Sequence, residues 1–301
     1  MKKRERLFIL VSLGPALACF LIMFAWPLVR TVMMSLHKMP SISSKMSDWE
    51  FIGPGNYTEL FTNSVFLASL RNVAKIWFVG GVLTLSLSLL FAAILASGVK
   101  GKRFWRSAIY LPNTVSAVAL ATMWLQYVFQ NKFGLLKQLF TALGMERLAR
   151  INWTSPEYLF WGMLIASIYS SVGYFMLIFL SGIEGIPQDL YESARLDGAG
   201  AWKQFRYITL PLIRNVFRTC LTLWTISSVN YFTMAKMFSS RLNLRTITPV
   251  YYLYEKVFGT SDAASVLNVG SGAAVGVLVA VLVLATHLVM NKILKEEAYE
   301  Y

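Results

Sequence analysis

The chain has 301 residues, 56% of them hydrophobic and only 14% charged, whereas a soluble domain carries about 25% charged residues. With a mean hydropathy of +0.55, it reads as an integral membrane protein. The net charge of +13 does not point to nucleic acid, because Lys and Arg are scattered between apolar runs. Retention of loops on the cytoplasmic side and contact with anionic membrane lipid account for them better.

At the N-terminus, Lys2, Lys3, Arg4 and Arg6 precede an apolar run from Leu7 to Val29. At about 20 residues it has the length of a spanning helix and outlasts a signal-peptide core. It is read as an uncleaved first span, kinked near Pro15. A polar loop follows from Arg30 to about Leu67, with turn residues at Gly53-Pro54-Gly55-Asn56. The second span covers roughly Ile76 to Ala96 and leads into a short basic loop with Lys100, Lys102, Arg103 and Arg106. The positive-inside rule puts this loop in the cytoplasm. A third span is expected from about Ala108 to Phe129, broken at Leu111-Pro112-Asn113. An external loop to about Glu157 precedes a fourth span, Tyr158 to Leu180. A fifth runs from about Val216 to Met234 and a sixth from about Val266 to Met290, followed by the tail Lys292 to Tyr301.

The longest polar passage between two spans is EGIPQDLYESARLDGAGAWKQFRYITLPLI, from Glu184 to Ile213. Pro187 with Gln188-Asp189 gives a helix start, with acid near the positive end of the dipole. A short amphipathic helix runs to Asp197, and Gly198 and Gly200 supply a turn free of the Cβ penalty at positive φ. Trp202, Phe205, Tyr207 and Ile208 form a second apolar face, and Pro211 marks entry to the next span. Two short helices joined by a glycine turn make a rigid knob.

Glu192-Ser193-Ala194, Asp197-Gly198-Ala199 and Ile208-Thr209-Leu210-Pro211 together resemble the EAA loop of binding-protein-dependent ABC importer permeases. Asp-Gly-Ala is similar to the carbohydrate-uptake branch, of maltose and glycerol-phosphate permease type, and Ser193 stands where the family usually has alanine. Two other passages also resemble sugar permeases: Phe51-Ile52-Gly53 with Asn56-Tyr57, and Arg106 to Gly134 with its Leu-Pro pair. The resemblance implies that Glu192, Ser193, Ala194, Asp197, Gly198, Ala199, Leu210 and Pro211 couple the chain to a separate ATPase subunit. It further implies a second homologous permease subunit, two ATPase subunits carrying ATP and Mg, and an extracytoplasmic sugar-binding protein. No cofactor is expected on this chain.

Polar side chains inside spans are the informative ones, because an unpaired polar group in hydrocarbon is costly. Ser167, Ser171 and Tyr174 in the fourth span are spaced i, i+4, i+7, and Trp224, Ser228 and Tyr231 repeat that spacing in the fifth. Each set falls on one helical face. Rings over C–H faces and hydroxyls for hydrogen bonds suit a sugar. With Asn230, the one asparagine in that part of the fifth span, these seven are the candidate substrate-binding residues. The resemblance puts the substrate cavity at the same positions, where maltose-type permeases carry more asparagine. Bonding of each serine to its own helix is the competing reading.

Cys19 and Cys220 have no CxxC spacing, and no metal site is indicated. His37 and His287 are far apart in the expected topology, and no phosphate-binding G-x-x-x-x-G-K-[ST] loop is present. The chain is therefore not expected to be an enzyme. The expected fold is all-α: one membrane domain over residues 1–301, with six spans, both termini cytoplasmic, and a coupling loop at about 182–215. The expected function is half of the translocation pathway of an ATP-driven importer for a sugar or oligosaccharide, in a bacterial or archaeal plasma membrane. A stand-alone secondary transporter or channel is the alternative, and the expected spans hold no Asp or Glu to serve it.

Overall fold

The computed structural model describes residues 3–239, 243–259 and 267–293. Lys2, the expected start of the sixth span at Val266, and the tail beyond Ile293 lie outside them. The described residues are mostly helical. The labelled helices are α1 (Val11–Ser35), α2 (Gly55–Thr62), α3 (Ser64–Ala96), α4 (Lys102–Thr114), α5 (Ala117–Val128), α6 (Leu135–Ala142), α7 (Leu159–Glu184), α8 (Gln188–Leu196), α9 (Arg214–Val229), α10 (Phe232–Phe238), α11 (Pro249–Phe258) and α12 (Val269–Ile293).

Four of these, α1, α3, α7 and α12, are continuous helices long and apolar enough to cross a membrane, and α4 with α5 makes a fifth candidate bent by 99°. The six expected spans are therefore not all continuous helices. Helix α3 begins twelve residues before the expected Ile76, because SVFLASLRNVAK already carries an apolar stripe. The expected basic loop is largely helical, since Gly101 at φ +77° turns the chain and α4 starts at Lys102. The break in the third span falls at Val115-Ser116 rather than at Leu111-Pro112-Asn113, and Pro112 sits inside α4. There Val115 adopts an extended conformation, and the Ser116 hydroxyl accepts a hydrogen bond from the Ala119 N–H to start α5. The fifth span is interrupted at Asn230-Tyr231, between α9 and α10. In α1 the helix continues through Pro15, and the irregularity is a π turn at Leu21–Ala25. The expected external loop before α7 contains α6 and a helical turn at Glu146–Ala149.

The chain forms two compact units, residues 1–67 with 252–281 and residues 68–251 with 282–301. In the first unit, β1 (His37–Lys38) pairs antiparallel with β2 (Glu50–Phe51). The buried Asn56 amide donates to the Ser35 and His37 carbonyls at 2.8 and 2.9 Å. Its oxygen accepts from Asn268 at 3.1 Å, and the Val269 N–H bonds the Met39 carbonyl at 2.9 Å. The Asn56-Tyr57 segment is thus a structural clamp, with Tyr57 also bonding Ser35 at 2.7 Å. No side chain in the apolar window of α1 is buried.

In the second unit α7 is the central helix, buried over 61% of its apolar window. It packs along α3, where the Ser88 hydroxyl donates to the Val172 carbonyl at 2.9 Å. It also crosses α4 at Gly173, where a Cβ would collide with the Ile109 carbonyl. Helix α9 meets α3 at a π turn, Ile76–Gly80. The Trp224 indole donates to the Trp77 carbonyl there, and the Trp77 indole to the Thr225 hydroxyl, both at 2.9 Å. Gly80 and Gly81 leave the room that the Trp224 ring fills.

Asn72 of α3 donates to the carbonyls of Leu244 and Ile247, both at 2.9 Å, and is nearly fully buried. Replacing Asn72 with Leu keeps the volume but removes the donor from two backbone carbonyls. We expect this to cost about 1–3 kcal/mol, read as a lower Tm of the purified protein. An unchanged Tm would show that the 244–247 segment is held by other contacts.

Candidate functional site

The polar passage after α7 folds as two short helices at a glycine corner. Its entry is anchored by buried Ile186. Pro187 supplies the extended residue before α8, Asp189 sits in the first turn and Arg195 in the last, so both charges complement the helix dipole. The exit of α8 is a Schellman closure. Gly198 stands at φ +77°, its N–H bonds the Arg195 carbonyl at 3.0 Å, and the Ala199 N–H bonds Ala194 at 2.8 Å. The Asp197-Gly198-Ala199 triplet is thus the cap itself.

The return arm is a helical turn at Ala201–Gln204, a π turn at Phe205–Thr209, and a further turn at Leu210–Leu212. The Tyr191 hydroxyl bonds the Thr209 hydroxyl at 2.9 Å and ties the arm to α8, and the Gln204 amide donates to the Ala199 carbonyl of the cap at 2.8 Å. At the base, Lys102 of α4 forms an ion pair with Glu184 at the end of α7.

The loop presents an apolar surface outward. Leu196 is 91% exposed, and Trp202 and Tyr207 are 72% and 73% exposed. Glu192, Ser193 and Pro211 are exposed, while Ala194, Ala199 and Leu210 are half-buried. Leu196 falls within the amphipathic helix expected to run to Asp197, and nothing in that expectation singled it out as exposed. Its place on the last turn, beyond the part of α8 that Tyr191 ties down, was the available signal.

The substrate candidates divide. Trp224 is fully buried with its N–H bonded to Trp77, and Ser228 is buried with its hydroxyl on the Thr225 carbonyl at 2.8 Å. Ser167 is buried and bonds the Met163 carbonyl at 2.8 Å. In this conformation these three pack between helices or bond their own helix. Tyr174 is 37% exposed and edge-packed on Phe175, Ser171 is half-buried and Asn230 exposed. Tyr231 is 9% exposed and lies at the break between α9 and α10. Its hydroxyl has Ser167 beside it yet makes no hydrogen bond of ordinary geometry among the described residues. The structure therefore brings Ser167 and Tyr231 together. Among the described residues no cluster of three or more His, Cys, Asp or Glu is placed to hold a metal.

Long apolar helices, a bent helix pair and a loop of two short helices define a mostly helical protein with membrane-type helices. Residues 76–295 match the family described as "binding-protein-dependent transport system inner membrane component", and the chain belongs to that family. It is 28% identical over 294 residues to the trehalose/maltose transport system permease protein MalF of Thermococcus litoralis, covering 97% of this chain and 95% of that one. It is 32% identical over 213 residues to the probable ABC transporter permease protein YurN of Bacillus subtilis, covering 70% and 71%. The fold is also that of a chain in the crystal structure of a bacterial alginate ABC transporter in complex with alginate pentasaccharide-bound periplasmic protein. The TM-score is 0.81 at 20% identity, over 98% of both chains.

Proposed function

We propose that the chain forms half of the translocation pathway of an ATP-driven importer for a sugar or oligosaccharide. The carrying observation is the family match over residues 76–295, alongside full-length similarity to a relative named for trehalose/maltose transport. In this reading a second permease subunit completes the pathway, an extracytoplasmic binding protein delivers the sugar, and two ATPase subunits supply ATP and Mg. Residues 1–301 make one membrane domain with six crossings, the third made by α4 and α5 and the fifth by α9 and α10. Both termini and the 182–215 loop face the cytoplasm. Leu196 and the exposed Glu192-Ser193 edge of α8 suit a cleft in an ATPase partner, with Gly198 and the Asp197–Ala199 cap setting the angle of the knob. Copurification from the native membrane tests the reading. ATPase subunits, a second permease and a bound sugar should accompany the chain, and isolation of the chain alone would count against it.

Tyr231 gives a direct test of the sugar pathway. Its buried hydroxyl lacks an ordinary hydrogen bond, so Tyr231→Phe removes an unsatisfied group and should leave stability unchanged or slightly raised. If that hydroxyl meets substrate hydroxyls when the pathway opens, half-saturation of uptake should rise by roughly 3- to 10-fold. Tyr174→Ala, which removes a half-open ring, should weaken sugar binding by about 1–3 kcal/mol. Unchanged uptake kinetics and sugar preference in both variants would remove these two faces from the pathway.

A further inference from the structure

A cavity of about 720 Å³ lies where the end of α3 and the end of α7 meet the two-helix loop, within the size range of small-ligand sites. One wall is apolar and comes from α3, including Leu90 and Ile94. The other is aromatic and cationic, with Trp202 and Phe205 in contact and Arg195 beside them. Lys102 and Glu184 close the base as an ion pair. The lining therefore carries two cations against one carboxylate. Arg195 is exposed, and its guanidinium has no ion pair or hydrogen bond among the described residues.

The apolar wall does not stop at the cavity. Leu83, Leu87, Leu90 and Ile94 are all exposed, and their spacing of 4, 3 and 4 places them in one row along α3. This row runs from the middle of the helix into the cavity mouth. An open apolar row ending at an unpaired Arg195, a Lys102–Glu184 ion pair and an indole at a membrane surface fits one kind of occupant. The row takes an acyl chain, the indole takes the glycerol level, and Lys102 and Arg195 take a phosphate through charge-assisted bonds.

We propose that this cavity binds an anionic phospholipid, with its phosphate between Lys102 and Arg195 and one acyl chain along Leu83, Leu87, Leu90 and Ile94. The lipid would then touch both a span and the loop, bracing the knob against the membrane. The placement rests on the cytoplasmic orientation proposed above for the loop.

The test uses the transporter assembled with its partner chains, in mild detergent, with phosphatidylglycerol or phosphatidylcholine of equal chain length added. Bound lipid is counted by native mass spectrometry. The wild type should retain phosphatidylglycerol over phosphatidylcholine, and retention should fall roughly fivefold for each cation removed in Arg195→Gln and in Lys102→Gln with Arg195→Gln. Ala93→Trp, which obstructs the apolar wall of the cavity and leaves both cations in place, should also lose the lipid. Equal retention in the wild type and all variants, or equal retention of the two lipids, overturns the proposal. Loss of retention on adding millimolar inorganic phosphate marks a free-anion pocket and overturns the lipid assignment. The same spectra report the ATPase subunits separately. Their absence from the wild type would sink the coupling reading, whereas lipid loss with the subunits retained bears on the lipid site alone.

Discussion

The Gly173→Val variant is expected to leave little folded permease in detergent extracts of the membrane. At Gly173 a Cβ would collide with the Ile109 carbonyl oxygen and would lie 2.7 Å from the Tyr110 Cα. Both obstacles are backbone atoms of α4, so no rotamer change relieves them. The helices must move apart, and α7 is also held by α3, where Ser88 bonds the Val172 carbonyl. Overpacking of a close core contact costs about 1–3 kcal/mol, and a backbone obstacle puts this site at or above the upper end. Gly14→Ala, where nothing lies within 4 Å of the new Cβ, is the matched control and should extract like the wild type. Size-exclusion profiles of the two variants provide the measurement. A wild-type profile for Gly173→Val would mean that α4 and α7 do not cross in contact here.

The same crossing shows where sequence reading stops. Apolar runs of spanning length placed α1, α3, α7 and α12, because hydrocarbon demands an internally bonded helix about 20 residues long. A proline signals a break but does not locate it. The missing N–H at Pro112 is tolerated inside α4, and the chain turns three residues later, where Ser116 can cap a new helix. The interruption at Asn230-Tyr231 had no proline or glycine to announce it. The two-helix loop was legible for the opposite reason: capping, glycine turn and re-entry are local features, each written within a few residues of where it acts.

Periodicity placed Ser167, Ser171 and Tyr174 on one face, as it did Trp224, Ser228 and Tyr231. It says which residues share a side and nothing about what opposes that side. Trp224 faces Gly80 and Gly81, a pairing between α9 and α3 that lies about 140 residues apart in the chain and has no local signature. Ser167 and Ser228 satisfy themselves on their own helices, as the competing reading held. The exposed or unsatisfied members, Tyr174, Ser171, Asn230 and Tyr231, are those with a face or a hydroxyl open to a substrate in this conformation.

Gly198→Val should release the ATPase subunits from an otherwise intact permease. Gly198 sits at φ +77° with open space where a Cβ would point, so the penalty is conformational and not a clash. A β-branched residue held there costs of the order of 1–3 kcal/mol. The chain can relieve that strain by opening the Schellman closure, which breaks the bonds from Gly198 to Arg195 and from Ala199 to Ala194. Helix α8 then loses its fixed angle to the return arm, although the spans are untouched. Under the proposed coupling role, retention of ATPase subunits on purification should fall roughly tenfold or more, and sugar uptake should fall with it. Gly198→Asn separates geometry from bulk, because asparagine tolerates the left-handed conformation far better than valine. It should keep most of the retention, although its side chain is about as large as that of valine. Equal loss in both variants would assign the effect to side-chain bulk at the docking surface. Normal retention and uptake in Gly198→Val would remove the glycine corner from coupling altogether.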